Sequence, residues 1–302
     1  MITVIGSYAI GVTIKTERFP VAGETVFGHS FALLHGGKGS NQAVGCARMG
    51  AKVFFYTCLG KDTFGENAIK LYEQEGIDVS GTKYSDSKAT AAGLVTVNGE
   101  GENQIVMDYG ACNDIGLEDI DNLLPQIRES SLVVMQLELG IEAVAYAAEL
   151  CKREGVKVLL NPAPFKEMPE GMLLNCCEYL TPNETEARLL LGLAPDDATS
   201  NGDIAKMLLA LGVRNVVMTM GGDGAMIANA GGCVHIKGSN VDAVDTTGAG
   251  DTFTAALAVA LSEGVTLQEA VRFANAAGAL SVTKYGVVEA LPYRKDVDAF
   301  LK

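Results

Sequence analysis

A run of small residues that ends on an acid lies at positions 246–251, where the sequence reads TTGAGD. A strand-like stretch precedes the run, and the apolar stretch after it predicts a long helix. Small residues let the backbone approach a ligand closely, and the free N–H groups in the first turn of a helix attract anions. We therefore predict an anion site suited to a transferring phosphoryl group, in which Asp251 takes the proton of an acceptor hydroxyl. The alternative is an ordinary helix start that Asp251 only caps.

A second glycine-rich segment, HGGKGSNQ at 35–42, looks at first like a nucleotide loop. It is not a Walker A motif, because Lys38 is followed by Gly39 rather than by Ser or Thr. No G-x-G-x-x-G follows the first predicted strand either, which disfavours an NAD-binding dehydrogenase. Because 246–251 offers the better anion site, we predict that 35–42 receives the acceptor of the phosphoryl group.

Length and charge restrict the class of protein. The chain has 302 residues, of which 48% are hydrophobic, and a formal net charge of −14. It is long enough for one large α/β domain, and its acidic balance argues against nucleic acid as the main partner. No apolar run reaches the roughly 18 residues of a membrane span. Seven cysteines without a C-x-x-C pair are typical of reduced thiols, so we expect a cytoplasmic protein with no membrane partner.

The elements that must position these segments alternate regularly. Nearly continuous apolar runs are typical of strands buried on both faces, and the amphipathic stretches between them predict helices. This alternation indicates parallel strands with helices packed on both sides. The predicted strands are ITVIG (2–6), AKVFFYTCLG (51–60), SLVVMQLEL (131–139), VKVLLNPAP (156–164) and RNVVMTMGG (214–222), and the predicted helices are 40–49, 64–75, 140–153, 184–191, 203–211, 249–263, 266–285 and 293–301.

Two stretches, 11–34 and 89–110, depart from this alternation. Both alternate polar with apolar residues, and VNGEGEN in the second lies between two strand-like runs, which predicts a hairpin. We expect antiparallel strands that form a lid over the carboxyl ends of the parallel strands, where ligands of open α/β sheets bind. We predict a single domain over 1–302 that carries this lid, and its sheet edges favour a homodimer through the lid.

Six motifs together resemble those of the ribokinase-like (PfkB) carbohydrate kinases, and most closely those of ribokinases. They are GGKGSNQAVGCARMGAKVFFYTCLGKDTFGE (36–66), MQLE (135–138), NPAP (161–164), TPNETEA (181–187), TMGGDGA (219–225) and DTTGAGDTF (245–253). Their order and spacing are similar to those of ribokinases over essentially the whole chain. The resemblance implies an α/β fold, a three-layer α/β/α sandwich with a mostly parallel central sheet and a small β-sheet lid. It also implies ATP-dependent phosphorylation of a sugar.

By this resemblance Asp251 is the catalytic base, and Gly248, Ala249 and Gly250 form the anion hole. Asn183 and Glu186 resemble the pair that organises Mg²⁺ and its waters around the ATP phosphates. The residues alone leave another reading, a helix start with Asn183 as N-cap and Glu186 completing a capping box.

The remaining assignments also come from the resemblance. The residues that it places along the nucleotide are Thr219, Gly221, Gly224 and, near the adenine, Asn275. Those that it places at a K⁺ ion, through backbone carbonyls, are Asp245, Thr247, Ser281, Lys284 and Gly286. Those that it places at the sugar are Gly37, Lys38, Asn41, Glu138 and Asp251. Asn275 could instead be a polar residue on a helix face, and Lys38 and Glu138 could form a surface ion pair.

One departure from the family pattern concerns the acceptor. In ribokinases the first strand leads into an N-x-D motif whose aspartate binds two sugar hydroxyls, whereas Ala9 and Gly11 occupy the matched positions here. Losing a charged contact to two hydroxyls could cost several kcal/mol if nothing replaces it. The assignment as a kinase is unaffected, because Asp251 and its glycine run are present. The preference for ribose is weakened, since Gly11 leaves room for a bulkier acceptor or one without a vicinal diol.

The leading prediction is therefore an enzyme that phosphorylates a ribose-like sugar with ATP, Mg²⁺ and K⁺. A kinase of the same fold that acts on a nucleoside, a ketohexose or a sugar acid is the first alternative. A non-catalytic ligand sensor is the second, and it predicts loss of the base or of the anion hole. Neither is lost in this sequence.

Overall fold

The structure is a computed structural model that describes residues 1–165 and 174–302. Its strands are β1 (Ile2–Ile5), β2 (Ala9–Thr16), β3 (Gly28–Gly36), β4 (Val53–Tyr56), β5 (Cys58–Gly60), β6 (Lys83–Ser85), β7 (Ala92–Val97), β8 (Asn103–Asp108), β9 (Leu132–Met135), β10 (Val158–Leu160), β11 (Tyr179–Leu180), β12 (Asn215–Thr219), β13 (Gly224–Asn229) and β14 (Gly232–Lys237). Its helices are α1 (Lys38–Arg48), α2 (Thr63–Gln74), α3 (Leu117–Asp121), α4 (Leu124–Arg128), α5 (Ile141–Arg153), α6 (Glu184–Leu190), α7 (Asn201–Ala210), α8 (Ala249–Ser262), α9 (Leu267–Ser281) and α10 (Arg294–Phe300). No helix in the described ranges is both long enough and apolar enough to cross a membrane.

The central sheet holds eight strands in the order β14-β13-β12-β11-β10-β9-β1-β4. Every neighbouring pair from β12 to β4 is parallel, and β13 and β14 add an antiparallel edge. Successive strand residues point to opposite faces, and each face has its own apolar core. Val4 packs with α1, α2, α8 and α9 on one face, whereas Ile5 packs with α3 to α7 on the other. The predicted three-layer α/β/α sandwich is confirmed.

The five predicted strands are present as β1, β4, β9, β10 and β12, and the eight predicted helices form with ends shifted by a few residues. The largest shift is in α9, which ends at Ser281 rather than at 285. Three strands of the central sheet, β11, β13 and β14, had no usable signal in the sequence. β11 has two residues, and β14 is almost wholly exposed, so the hairpin that it forms with β13 lacks a long apolar run.

The lid is a separate four-stranded sheet with the order β3-β2-β7-β8. Two antiparallel hairpins build it, β2 with β3 and β7 with β8, as expected from the two stretches. The expectation of wholly antiparallel pairing is wrong, because β2 and β7 lie side by side in parallel, with Gly11 opposite Gly93. Each hairpin leaves the body through its first strand, and both first strands run outward in the same direction.

Candidate active site

Asp251 lies in the first turn of α8, and its side chain is buried, with 5% of the residue exposed. Two amides of α1 hold its carboxylate. Asn41 Nδ2 donates to Oδ2 at 2.8 Å, and Gln42 Nε2 donates to Oδ1 at 2.9 Å. The two glycine-rich segments that the sequence singled out therefore meet at one carboxylate, although about 200 residues separate them.

Glycines shape the start of α8. Gly248 has a φ of 77°, in the left-handed region, and a Cβ there would lie 2.6 Å from Val287 Cγ1. Gly250 differs, because a Cβ at that position would have no heavy atom within 4 Å. Among the described residues the N–H groups of Gly250 and Asp251 have no acceptor, while that of Ala249 donates to Thr246 O at 3.3 Å. The first turn of α8 thus has two free backbone donors beside the carboxylate and open space at Gly250, which is an arrangement that binds anions.

Glu138 lies near enough to Asp251 to feel its charge and is 8% exposed. Its Oε2 accepts a hydrogen bond from the backbone N–H of Lys38 at 2.7 Å and another from the Ser7 hydroxyl. Burial raises the pKa of Glu138 above its usual range. Gly37 has a φ of 86°, and a Cβ on it would lie 2.7 Å from Ala9 N, so the loop can pack against the end of the first strand only as glycine.

The Lys38 ammonium points into the same region. It makes no hydrogen bond or ion pair within 4 Å to any residue of the described ranges. The negative charge of Asp251 raises the pKa of Lys38, against the opposing effect of burial, and Glu138 and Glu186 add to the rise. The Lys38–Glu138 surface ion pair considered from the sequence does not form. A partly buried cation with three carboxylates nearby and no direct partner is suited to a polyanionic ligand.

A cavity of about 300 Å³ opens in front of the free N–H groups at the start of α8. It is lined by Thr219, Gly221, Gly222, Gly224, Gly238, Ser239, Asn240, Val241, Ala243, Thr246, Ala249, Gly250, Phe253, Asn275, Gly278, Ala279 and Val282. Thr219, Gly221, Gly224 and Asn275 were predicted to contact a nucleotide, and all four line this one cavity. Asn275 Nδ2 also donates to Ile236 O at 3.1 Å, so its side chain links α9 to β14 beside the cavity.

Asn183 and Glu186 form the capping box that the sequence left as the alternative. Asn183 Oδ1 accepts from the N–H of Glu186 at 2.8 Å, and Glu186 Oε2 accepts from the N–H of Asn183 at 2.9 Å. Burial raises the pKa of Glu186, and so does the nearby charge of Asp251. Asn183 also pairs with Thr219 of the cavity wall through an isolated β-bridge. Both residues therefore lie at the rim of the site, where their side chains cap the start of α6.

The proposed cation segments meet beside the start of α8. Asp245 Oδ1 accepts from the Thr247 N–H at 3.0 Å and from its hydroxyl at 2.7 Å, and Oδ2 accepts from Gly286 N–H at 3.2 Å. Burial acts to raise the pKa of Asp245, but these hydrogen bonds outweigh it and lower the pKa. Ser281 and Lys284 form the turn that ends α9, where Lys284 N–H donates to Ser281 O at 3.3 Å.

Gly11 lies on the lid strand β2 and leaves a gap in its surface. A Cβ there would meet nothing closer than Leu34 O, at 3.5 Å. Lys15, on the same face of the strand by alternation, places its ammonium 5.0 Å from the centre of the Tyr285 ring. Because Tyr285 adjoins Gly286, the Gly11 face of the lid is turned toward the body of the protein.

Sequence reasoning missed Gln42, which touches Asp251 directly, and Asn161 and Gln136, which touch Gln42. All three lie inside motifs that had been singled out, HGGKGSNQ, NPAP and MQLE. Membership of a motif was the only signal, since no local rule indicates a hydrogen bond across 209 residues.

The sequence profile described as "pfkB family carbohydrate kinase" matches residues 1–294. Among curated relatives, the ribokinase of Haemophilus influenzae is 38% identical over 301 residues, covering 100% of this chain and 98% of the relative. The deoxyribokinase of Salmonella typhi is 33% identical over 300 residues, covering 99% of this chain and 98% of the relative.

Solved structures are similar over the whole chain as well. A ribokinase of Thermotoga maritima superposes with a TM-score of 0.92 at 36% identity, covering 99% of this chain and 98% of that one. A ribokinase of Arabidopsis thaliana, complexed with ribose and ATP, gives a TM-score of 0.93 at 30% identity, covering 100% of this chain and 98% of that one.

Proposed function

This chain belongs to the pfkB family of carbohydrate kinases, and on that premise we propose that it transfers the γ-phosphate of ATP to a hydroxyl group of a ribose-like sugar. One observation carries the proposal. The buried carboxylate of Asp251 stands between two free N–H groups that face a 300 Å³ cavity and a second set of polar groups beneath the lid. A base between an anion site and a hydroxyl-binding site is the arrangement that phosphoryl transfer needs.

In this proposal Asp251 accepts the proton of the acceptor hydroxyl as that oxygen attacks the γ-phosphorus. Gly248, Ala249 and Gly250 form the anion hole, in which the N–H groups of Gly250 and Asp251 donate to the transferring phosphoryl oxygens. The N–H of Ala249 can join them by giving up its long bond to Thr246 O.

The acceptor lies between Gly37, Lys38, Asn41 and Glu138. Asn41 supports this assignment, because its Oδ1 is buried without a partner in the described ranges while its Nδ2 holds Asp251. A sugar hydroxyl would satisfy that oxygen. Glu138 Oε1 makes no hydrogen bond to a described residue and can accept a second hydroxyl.

ATP occupies the cavity beside α8, with its phosphates toward Gly250. Thr219, Gly221 and Gly224 follow the nucleotide, and Asn275 forms part of the wall near the adenine. Asn183, joined to Thr219, stands at the rim near the phosphates. The glycines allow close approach, since Gly224 has a φ of 97° and a Cβ on it would lie 2.3 Å from Gly238 N.

The residues of this site fit Mg²⁺ only when the ion binds together with ATP. Within residues 1–165 and 174–302 no three His, Cys, Asp or Glu side chains are grouped to hold a metal ion, so phosphates and water would supply most ligands. Glu186 fits an indirect role, because one of its oxygens lies outside the capping box. When bound, Mg²⁺ would neutralise charge on the phosphates.

K⁺ is proposed at the junction of the two segments that Asp245 joins. Backbone carbonyls of Asp245, Thr247, Ser281, Lys284 and Gly286 are the proposed ligands. The hydrogen bonds of Asp245 to Thr247 and Gly286 support this, because they hold both segments beside the anion hole. Activity measured in K⁺ against a matched concentration of tetramethylammonium tests the requirement.

We also propose a cytoplasmic homodimer that forms through the lid. Val12, Leu33, Leu94 and Val106 make an apolar row across the lid face opposite Gly11, and all but Val12 are well exposed. Such a row favours self-association. Seven cysteines without a C-x-x-C pair are in keeping with a reducing compartment. A monomeric mass in light scattering would contradict the dimer.

The proposal is tested by ATP consumption of the purified protein over ribose, deoxyribose, hexoses, nucleosides and sugar acids. Deoxyribose is the specific alternative, since Gly11 offers no group for a vicinal diol and a deoxyribokinase is 33% identical to this chain. Turnover that is highest with ribose or deoxyribose supports the proposal. Failure to consume ATP with any acceptor would contradict it.

Gly11→Asp is expected to raise kcat/KM for ribose about tenfold, because a hydrogen bond to a charged group contributes roughly 1.5–3 kcal/mol. The side chain has room, since its Cβ would make only an ordinary contact with Leu34 O at 3.5 Å. Gly11→Asn, of similar shape but uncharged, is the control and should give a smaller gain. A fall in ribose turnover with Gly11→Asp would mean that the site is built around another acceptor.

A further inference from the structure

We propose that Gln42 is a positioning residue that orients the carboxylate of Asp251 through a buried chain of amide hydrogen bonds. The role rests on the phosphoryl transfer proposed above. Gln42 Nε2 donates to Asp251 Oδ1 at 2.9 Å, and Gln42 has no exposed surface. It lies next to Asn41 on α1, so one helix turn supplies both amides that hold the base.

The direction of the chain is determined at the Asn161 end. Asn161 Nδ2 donates to Thr181 O at 2.8 Å, which leaves Asn161 Oδ1 to accept from Gln42 Nε2 at 3.1 Å. Gln136 Nε2 donates to Gln42 Oε1 at 2.6 Å. Because Oε1 of Gln42 already accepts, the amide can face Asp251 only with its N–H₂ group.

This chain affects the charge and the geometry of the base together. Each oxygen of Asp251 receives one neutral donor, from Asn41 and from Gln42. Hydrogen bonds donated to a carboxylate stabilise its charged form, and in a buried site they are stronger than in water. Both of these donors are neutral amides, and the nearby Lys38 ammonium makes no ion pair with Asp251 within 4 Å.

Packing alone does not account for Gln136. Its Oε1 is buried and has no hydrogen-bond partner among the described residues. A Cβ at Gly6 would lie 2.2 Å from that oxygen, so the adjacent position must remain glycine. A buried acceptor without a partner is unfavourable, and here it accompanies an orientation that points Nε2 at Gln42. This unpaired oxygen lies at the end of the hydrogen-bond chain that is remote from Asp251.

Gln42→Met tests the proposal, because methionine keeps the length and roughly the volume of glutamine but donates nothing. We expect kcat to fall about 10- to 100-fold, the usual effect of a base displaced by about 1 Å. The affinity for ATP, measured by calorimetry, should be unchanged. The KM for the sugar should change little, so the loss should appear in kcat rather than in KM.

Two further variants separate positioning from folding. Thr3→Val removes another fully buried hydrogen bond, from Thr3 Oγ1 to Ser130 Oγ at 2.7 Å, near the opposite end of β1. It should lower the unfolding temperature and leave kcat unchanged. Gln136→Met removes only the donor that orients Gln42, so it should give a smaller change of the same kind. It also keeps the test open if Gln42→Met does not fold.

The outcomes are distinguishable. If the unsubstituted protein consumes no ATP with any acceptor, the proposed function fails. If it does, but Gln42→Met and Gln136→Met retain the kcat of the unsubstituted protein, the positioning role is overturned. A fall in kcat with an equal loss of ATP affinity would likewise overturn it, since a merely structural defect has that effect.

Discussion

Asp251→Asn is expected to lower kcat about 10³-fold, because general base catalysis contributes typically 10²–10⁴-fold. The substitution keeps the shape of the side chain and removes its capacity to take a proton. The cavity proposed for ATP is lined by Ala249, Gly250 and residues such as Thr219 and Gly224, and not by Asp251, so its wall remains intact. Steady-state turnover and the ATP dissociation constant, measured on the same preparation, provide the check.

The asparagine at 251 brings a second, smaller effect. Its N–H₂ group would face the donor of either Asn41 or Gln42, where the carboxylate now accepts from both. An unpaired buried donor costs about 1–3 kcal/mol, so the unfolding temperature should fall. Asp251→Ser, which keeps a small acceptor and avoids the donor clash, is a useful companion. If ATP affinity collapses together with activity in both variants, Asp251 is not the base.

Gly250→Ala is expected to lower kcat about 10²-fold, because its Cβ would hold the phosphoryl group away from the N–H donors, an effect comparable to losing one oxyanion-hole donor. A Cβ at 250 would meet no protein atom within 4 Å, but it would project into the open space where we place the γ-phosphate. Alanine is a better helix former than glycine by up to about 1 kcal/mol, so the variant should be slightly more stable. Thermal unfolding and kcat, measured together, should therefore move in opposite directions.

Gly248→Ala is the matched control for that prediction. Its φ of 77° and the 2.6 Å approach of a Cβ to Val287 Cγ1 mean that alanine must strain the loop. A residue forced into such a conformation costs about 1–3 kcal/mol. Both glycine variants should lose activity, but only Gly248→Ala should lose stability. Full activity of Gly250→Ala would show that the phosphoryl group passes elsewhere.

The parts of the site that local chemistry specifies could be predicted from the sequence. The anion hole before α8 follows from small residues and a helix start, both of which can be identified within 246–251. Residue spacing alone does not assign the role of Asn183 and Glu186, because a capping box and a magnesium pair have the same spacing. The structure contains the capping box, which the residues alone favour, and the magnesium role suggested by the resemblance stays a proposal.

Contacts between distant segments were beyond sequence reasoning. The parallel pairing of β2 with β7 depends on how two hairpins meet, and neither hairpin encodes the other. Gln42 is a similar case, since nothing near it indicates that its amide reaches Asp251. β11, with two residues, is too short to show any period.

The separation of the lid from the body has a consequence for how such an enzyme can evolve. β2 and β7 belong to a sheet of their own, whereas Asp251 and its amide partners are built into the body. A side chain introduced at Gly11 would contact few neighbouring atoms. The preference for the acceptor can therefore change there without disturbing Asp251 or the core. We expect lineages of this chain to change their substrates first through the lid, and to retain α8 and its glycines while they do so.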